Sequence, residues 1–227
     1  TSAPVDNGVP IASLNGHYWS EFIDDHLVLI DLAELIDLDT FTFAAELGIL
    51  DISTEPPTYQ PVVTGTRGAS AAVTIDANAH VAYATDGLTG ETRSFSVDSL
   101  LSTYTNHTII DWTDGTPVGT YNSGGVMGIS NRGSLIIGGF DPTTFAGSIQ
   151  FVDKDTGEIA ASLDPTGTGF SVYNATYNKV TGRILVIALN FPGPVVTGFL
   201  SDSPYEFTTV QEPARPLARL LFQWFMH

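Results

Sequence analysis

Gly125-Val-Met-Gly-Ile-Ser130, Ser134-Leu-Ile-Ile-Gly-Gly-Phe140, Ser148-Ile-Gln-Phe-Val-Asp153 and Ile159-Ala-Ala-Ser-Leu163 are four short apolar runs that follow one another closely. Polar or glycine-bearing segments separate them. Runs this short, rich in β-branched residues and bounded by turn residues, read as strands joined by hairpins.

The pattern recurs along the chain. His26-Leu-Val-Leu-Ile-Asp31, Ser94-Phe-Ser-Val-Asp98, Ser148-Ile-Gln-Phe-Val-Asp153 and Thr197-Gly-Phe-Leu-Ser-Asp202 each read as a strand closed by Asp, at spacings of 67, 55 and 49 residues. Val73 to Tyr83 overlies Met127 to Ile137 at an offset of 54, and both segments read as strand, polar turn, strand. Gly182 to Ile187 overlies Gly133 to Gly138 at an offset of 49, which also carries Asp153 onto Asp202. A period near 50 with four strands per repeat is how propeller blades look in sequence. The expected class is all-β, with about four propeller-like repeats of four-stranded antiparallel sheets. A β-sandwich or an irregular barrel is the alternative.

Residues 1–213 are expected to form this single domain, with possible strands at Val9–Ser13 and His17–Ile23. Leu32 to Phe43 is ambiguous. Leu32, Leu35, Ile36 and Leu38 would share a helical face, whereas Thr40-Phe-Thr-Phe43 alternates like a strand. Ser53 to Gln60, with Pro56-Pro57, reads as a loop. Residues 214–227 form an apolar and basic tail after Pro213-Ala-Arg-Pro216. Leu217, Leu220, Leu221 and Trp224 would share one face of a short C-terminal helix. Docked on the body, that helix completes the core; left exposed, it would draw in a protein partner or a second copy.

Three polar hexapeptides share a turn chemistry: Asp86-Gly-Leu-Thr-Gly-Glu91, Asp153-Lys-Asp-Thr-Gly-Glu158 and Asn178-Lys-Val-Thr-Gly-Arg183. Each places Gly at the fifth position, where a hairpin reversal calls for positive φ. The hairpin repeats and the Asp153 turn together resemble secreted β-propellers of the broad lactonase-like and YVTN-type group, over residues 68–210. That resemblance implies a ligand or metal site at a central channel and assigns no individual residue to it.

Eight Lys and Arg face 25 Asp and Glu, a net charge of −17, and residues 1–66 carry eleven acids and no Lys or Arg. Phosphate binding needs cations to displace counterions, so nucleic acid is excluded as a partner and anionic membrane surfaces are disfavoured. Cysteine is absent, which removes disulfides, thiol chemistry and zinc–thiolate sites. No apolar run reaches bilayer-spanning length. Thr1-Ser-Ala-Pro4 shows neither the basic start nor the apolar stretch of a signal peptide. Sequons at Asn106-His-Thr108 and Asn174-Ala-Thr176 permit glycosylation. The expected setting is secreted or extracytoplasmic.

Candidate chemistry is sparse. Asp24, Asp25 and His26 could hold a divalent cation or act as acid and base, but consecutive strand residues point to opposite faces, and a hairpin turn explains them equally. Asp153, Asp155 and Glu158 alternate like half of a calcium loop; calcium is the cofactor considered, and a plain turn is the competing reading. The repeated aspartates could instead cap turns by accepting backbone N–H groups. Gly68-Ala-Ser-Ala-Ala72 lacks the strand-to-helix setting of a nucleophile elbow. Tyr18, Trp19, Trp112 and Tyr121 would suit stacking on a carbohydrate or another small molecule if exposed, and core packing if not. The expected function is a binding or scaffold module. A metal-dependent hydrolase or isomerase of the lactonase kind, and a structural subunit of an assembly, are the alternatives.

Overall fold

Alternating apolar residues and glycine turns sort the described residues into four sheets, antiparallel except for one strand pair. The computed structural model describes residues 17–37, 42–65, 70–141, 143–144, 146–164, 171–178, 180–190, 195–201 and 207–209. The first sheet holds β1 (His17–Phe22), β2 (Leu27–Asp37), β3 (Thr42–Asp51) and β4 (Thr58–Thr64). In the second lie β5 (Ser70–Asp76), β6 (Val81–Asp86) and β7 (Glu91–Ser96). Helix α1 (Val97–Thr105), strand β8 (Ile110–Asp111) and a 3-10 turn at Trp112–Asp114 then precede its fourth strand, β9 (Thr116–Thr120). The third contains β10 (Val126–Ile129), β11 (Ser134–Ile137), β12 (Ile149–Asp153) and β13 (Ile159–Leu163). The fourth contains β14 (Ser171–Asn178), β15 (Arg183–Asn190), β16 (Val195–Ser201) and β17 (Phe207–Thr209).

The first strand of each sheet packs beside the first strand of the next, β1 with β5, β5 with β10 and β10 with β14. That succession is a four-blade propeller-like arrangement, with one short α-helix among the described residues. Its cores lie between blades. Leu29, Leu47 and Ile49 of blade 1 meet Val73, Ile75, Ala82 and Leu100 of blade 2. Tyr83 and Tyr121 of blade 2 meet Val126, Leu135, Ile137 and Val152 of blade 3. Ile136, Ile149 and Phe151 of blade 3 meet Ile184, Val186 and Leu200 of blade 4. Period-2 alternation explains this: Leu135 and Ile137 face backward while Ile136 faces forward, so one strand serves two interfaces.

The offsets read from the sequence match equivalent strands. Val73 and Met127 lie in first strands, and Arg183 and Ser134 both open second strands. The aspartates are less regular. Asp153 does close β12. Asp31 closes nothing: β2 runs on to Asp37 because it pairs with β3 almost throughout, and Asp31 sits mid-strand and fully buried. The residue ending the third strand of blade 1 is Asp51. Asp98 follows the end of β7 and belongs to the first turn of α1. There the Ser96 hydroxyl accepts from Ser99 N at 3.3 Å, and an acidic side chain suits the positive helix start. The helical option for Leu32 to Phe43 is overturned, since strands β2 and β3 occupy its described part. Val9–Ser13, Asp202 and the 214–227 tail lie outside the described residues.

Blade 1 departs from the four-strand plan. The connection from β7 to β9 swings back, and β8 pairs in parallel with β4, Val63 with Ile110 and Thr64 with Asp111. Trp112 follows at once, 2% exposed, its ring 5.5 Å from that of Phe95. Gln60 Nε2 donates to Tyr104 O at 3.2 Å, fixing α1 against the same edge. Among the described residues no helix is long and apolar enough to cross a membrane.

Candidate ligand-binding cleft

The hexapeptide turns close as their glycines predict. Asp86 Oδ1 accepts from Leu88 N and Thr89 N, Asp153 Oδ1 from Asp155 N and Thr156 N, and Asn178 Oδ1 from Val180 N and Thr181 N. The fifth-position glycines, Gly90, Gly157 and Gly182, all have positive φ, at 75°, 74° and 65°. A fourth turn, Asp76-Ala-Asn-Ala-His80, uses the same aspartate cap but puts His80 at φ 54°.

Two of these turns meet across the blade 2–blade 3 boundary. Lys154, second residue of the Asp153 turn, reaches Asp76 Oδ2 at 3.5 Å and Asp155 Oδ1 at 3.1 Å. The hydrogen bond to Asp155 raises the ammonium pKa above its ordinary value. Tyr83 lies close by, and burial pushes its phenol pKa up. The Asp153 turn is held a second time: Tyr121 Oη donates to Gly157 O at 2.8 Å and to Val118 O at 3.2 Å. Just beyond, Asn122 Nδ2 donates to Ser148 O at 2.7 Å, and Asn122 N to Gln150 Oε1 at 3.0 Å. Blade 3 is thus fastened to the end of blade 2 by polar groups as well as by its apolar face.

Between these anchored turns opens a cleft of about 610 Å³. One wall is Asp76 to Ala79, the other is Ile129 to Asn131 with Gly133, and Lys154 stands between them. Ser130 Oγ, accepting from Arg132 N and Ser134 N, shapes the second wall. Asn131 N donates to Tyr177 Oη of blade 4 at 2.9 Å, so this wall is braced from behind. Ammonium, carboxylate, amide and hydroxyl groups therefore line the cleft together with Ala77, Ala79 and Ile129, on turns that three blades hold in place. That surface can hydrogen-bond a small polar molecule without first having to order itself.

The residues singled out from sequence fall elsewhere. Asp24, Asp25 and His26 form the β1–β2 hairpin turn, where Asp24 Oδ1 accepts from His26 N at 2.9 Å and Leu27 N at 2.8 Å. Those backbone N–H groups, that of His26 foremost, hold the Asp24 carboxyl below its ordinary pKa. Asp153 is lowered in the same way, mainly by Thr156 N and Asp155 N. Asp155 and Glu158 are exposed beside it. Among the described residues no three Asp, Glu or His side chains come together to hold a metal ion. The Asp24 and Asp153 carboxylates each cap a turn by accepting backbone N–H groups, and Asp155 accepts from Lys154 Nζ.

Three of the four aromatics expected at a stacking surface are packed. Trp112 is in the core, Tyr121 is 6% exposed and spent on the inter-blade bonds, and Trp19 is partly buried against the blade 1–blade 2 core. Tyr18 is described only in its backbone, paired with Leu32. Asn106 stands exposed at the end of α1, its Nδ2 donating to Ser102 O at 2.9 Å, and Asn174 lies within β14, paired with Ile187. Sequence reasoning missed Lys154 and Asp76. The one available signal was scarcity, since Lys154 is one of only eight cations in the chain.

No family model matches the chain, and no curated protein sequence matches it either. Solved structures do share the fold. A puromycin hydrolase is 12% identical, with a TM-score of 0.56 over 86% of this chain and 29% of its own. An auxiliary nutrient binding protein from Bacteroides thetaiotaomicron is 10% identical, at 0.56 over 88% and 43%. Hydrazine synthase from Kuenenia stuttgartiensis is 10% identical, at 0.52 over 92% and 69%. The chain therefore spans less than half of two of these proteins and about two thirds of the third. At such identities the likeness is one of fold, and it places the chain with β-propeller domains.

Proposed function

We propose that this β-propeller domain is an extracytoplasmic binding module, and that its ligand site is the cleft beside Lys154. The observation that carries the reading is the arrangement at that cleft. Lys154 and Asp76 come from different blades; the Lys154 turn is fixed from outside the cleft by Tyr121, and the Asp76 turn by its own aspartate cap. The lining favours a small, neutral or zwitterionic polar molecule, because Lys154 is already balanced by two carboxylates. A protein described as nutrient binding shares the fold, which is compatible with such use of the scaffold. The acidic composition suits an extracytoplasmic setting, and the two sequons permit it.

The test is a ligand-observed NMR screen of free amino acids, monosaccharides and aliphatic amines against the wild type, Lys154→Met and Asn131→Ala. Hits lost in both variants support the cleft. If every hit survives both substitutions, or the panel gives no hit, the small-polar-ligand reading fails.

A further inference from the structure

The outer edges of the blades are unequal. In blade 1 the free side of β4 is occupied by β8. In blade 2 the outer strand β9 carries Pro117, which has no N–H to offer, and its register shifts beside Arg93. In blade 3 the outer strand is β13, Ile159-Ala-Ala-Ser-Leu163, with neither proline nor charge. Ile159 is 48% exposed, and Ala160 and Ser162 are exposed too. A register shift at its start leaves Ala161 to Leu163 as the regular part of the edge. Proteins ordinarily block such an edge with charge, proline or a cover.

We infer that β13 is a docking edge for an extended peptide segment of another protein, one whose strand is flanked by Lys or Arg. Backbone hydrogen bonding along the edge would add a fifth strand to blade 3. Charge selects the occupant. Glu158 precedes β13 and Asp164 follows it. A second copy paired antiparallel, with Ile159 opposite Leu163 of its mate, would set Glu158 against Asp164 at both ends. Directly opposed like charges destabilise a strand pair, and a net charge of −17 adds to the repulsion between copies. A basic-flanked strand meets Glu158 and the strongly negative chain favourably.

The probes are fluorescein-labelled Lys-Thr-Val-Thr-Val-Lys and the same peptide with Glu at both ends, followed by fluorescence anisotropy. The Lys-flanked peptide should bind saturably and the Glu-flanked one should not. Ile159→Lys should weaken binding at least about fivefold, by placing a like charge on the edge. Val180→Lys, at a position 95% exposed on a blade 4 turn, makes the same charge change elsewhere and should leave binding unchanged. Bound peptide should slow amide exchange within 159–163. Three outcomes overturn the inference: no saturable binding, equal loss in the two Lys variants, or exchange protection confined to other segments. A dimer in sedimentation that Ile159→Lys abolishes would overturn the choice of occupant.

Discussion

Lys154 Nζ lies 3.5 Å from Asp76 Oδ2, a bond between hairpin turns of two different blades. The Lys154 side chain is 20% exposed and that of Asp76 is 11% exposed, so water screens the pair only in part. Lys154→Met should destabilise the domain by about 1–2 kcal/mol, since it leaves a largely buried carboxylate without its cation. A double-mutant cycle with Asp76→Asn should show a coupling of about 1 kcal/mol in urea denaturation. Additive effects would mean that this ion pair contributes nothing to joining the two blades.

The glycine turns give a graded series. A Cβ at Gly90 would overlap the Tyr121 carbonyl oxygen, and Gly90 also has φ 75°. Gly133, at φ 81°, has only the flexible Lys154 Cε at 3.5 Å. Gly133→Ala should cost about 1–2 kcal/mol for the left-handed backbone alone. Gly90→Ala should cost more than that, because backbone atoms must also move.

His80 supplies the opposite sign in the same experiment. It holds φ 54° at the position where the three hexapeptide turns carry Gly90, Gly157 and Gly182. Its contact with Asp98, 3.4 Å between exposed groups, offsets little of the strain. His80→Gly should therefore be neutral or stabilising by up to about 1 kcal/mol, since glycine relieves the strain but adds freedom to the unfolded chain. A clear loss of stability would show that the imidazole is doing something else.

Trp112 is the test of the strand that crosses back to blade 1. Trp112→Ala should lose about 3–5 kcal/mol, as expected for emptying a large core site. Phe22→Ala, at a position 63% exposed, should fall within about 0.5 kcal/mol of the wild type. Comparable losses would mean Phe22 is covered in solution.

These positions also show what the sequence could and could not reveal. Blade 3 was legible because each of its strands is a separate apolar run and each turn carries Gly or a capping Asp. The β7–β9 connection was not. Ser94-Phe-Ser-Val alternates as a strand should, and nothing local marks Ser96 as the cap of a helix rather than the next strand position. Its β8 strand is two residues long and is defined only by its distant partner β4. Asp31 misled because a buried aspartate at the end of an apolar run looks the same, in one dimension, as one that ends a strand. The cleft was invisible for a similar reason. Asp76 and Lys154 are 78 positions apart and meet only once blades 2 and 3 have packed.

The aspartate caps predict the acid limb of stability. Backbone N–H groups hold the carboxyls of Asp24, Asp141 and Asp153 below their ordinary pKa in the folded chain. Stability from these groups is complete above the unfolded value of about 3.9 and drains away as pH falls through the lower folded values. Asp153→Asn keeps a side-chain oxygen in place, as Asn178 does naturally in the equivalent blade 4 turn. The variant should fold, and its urea-denaturation stability should decline less steeply than that of the wild type from about pH 5 downward. Identical slopes would mean that Asp153 stays protonation-neutral to folding, and that the cap works through geometry without its charge.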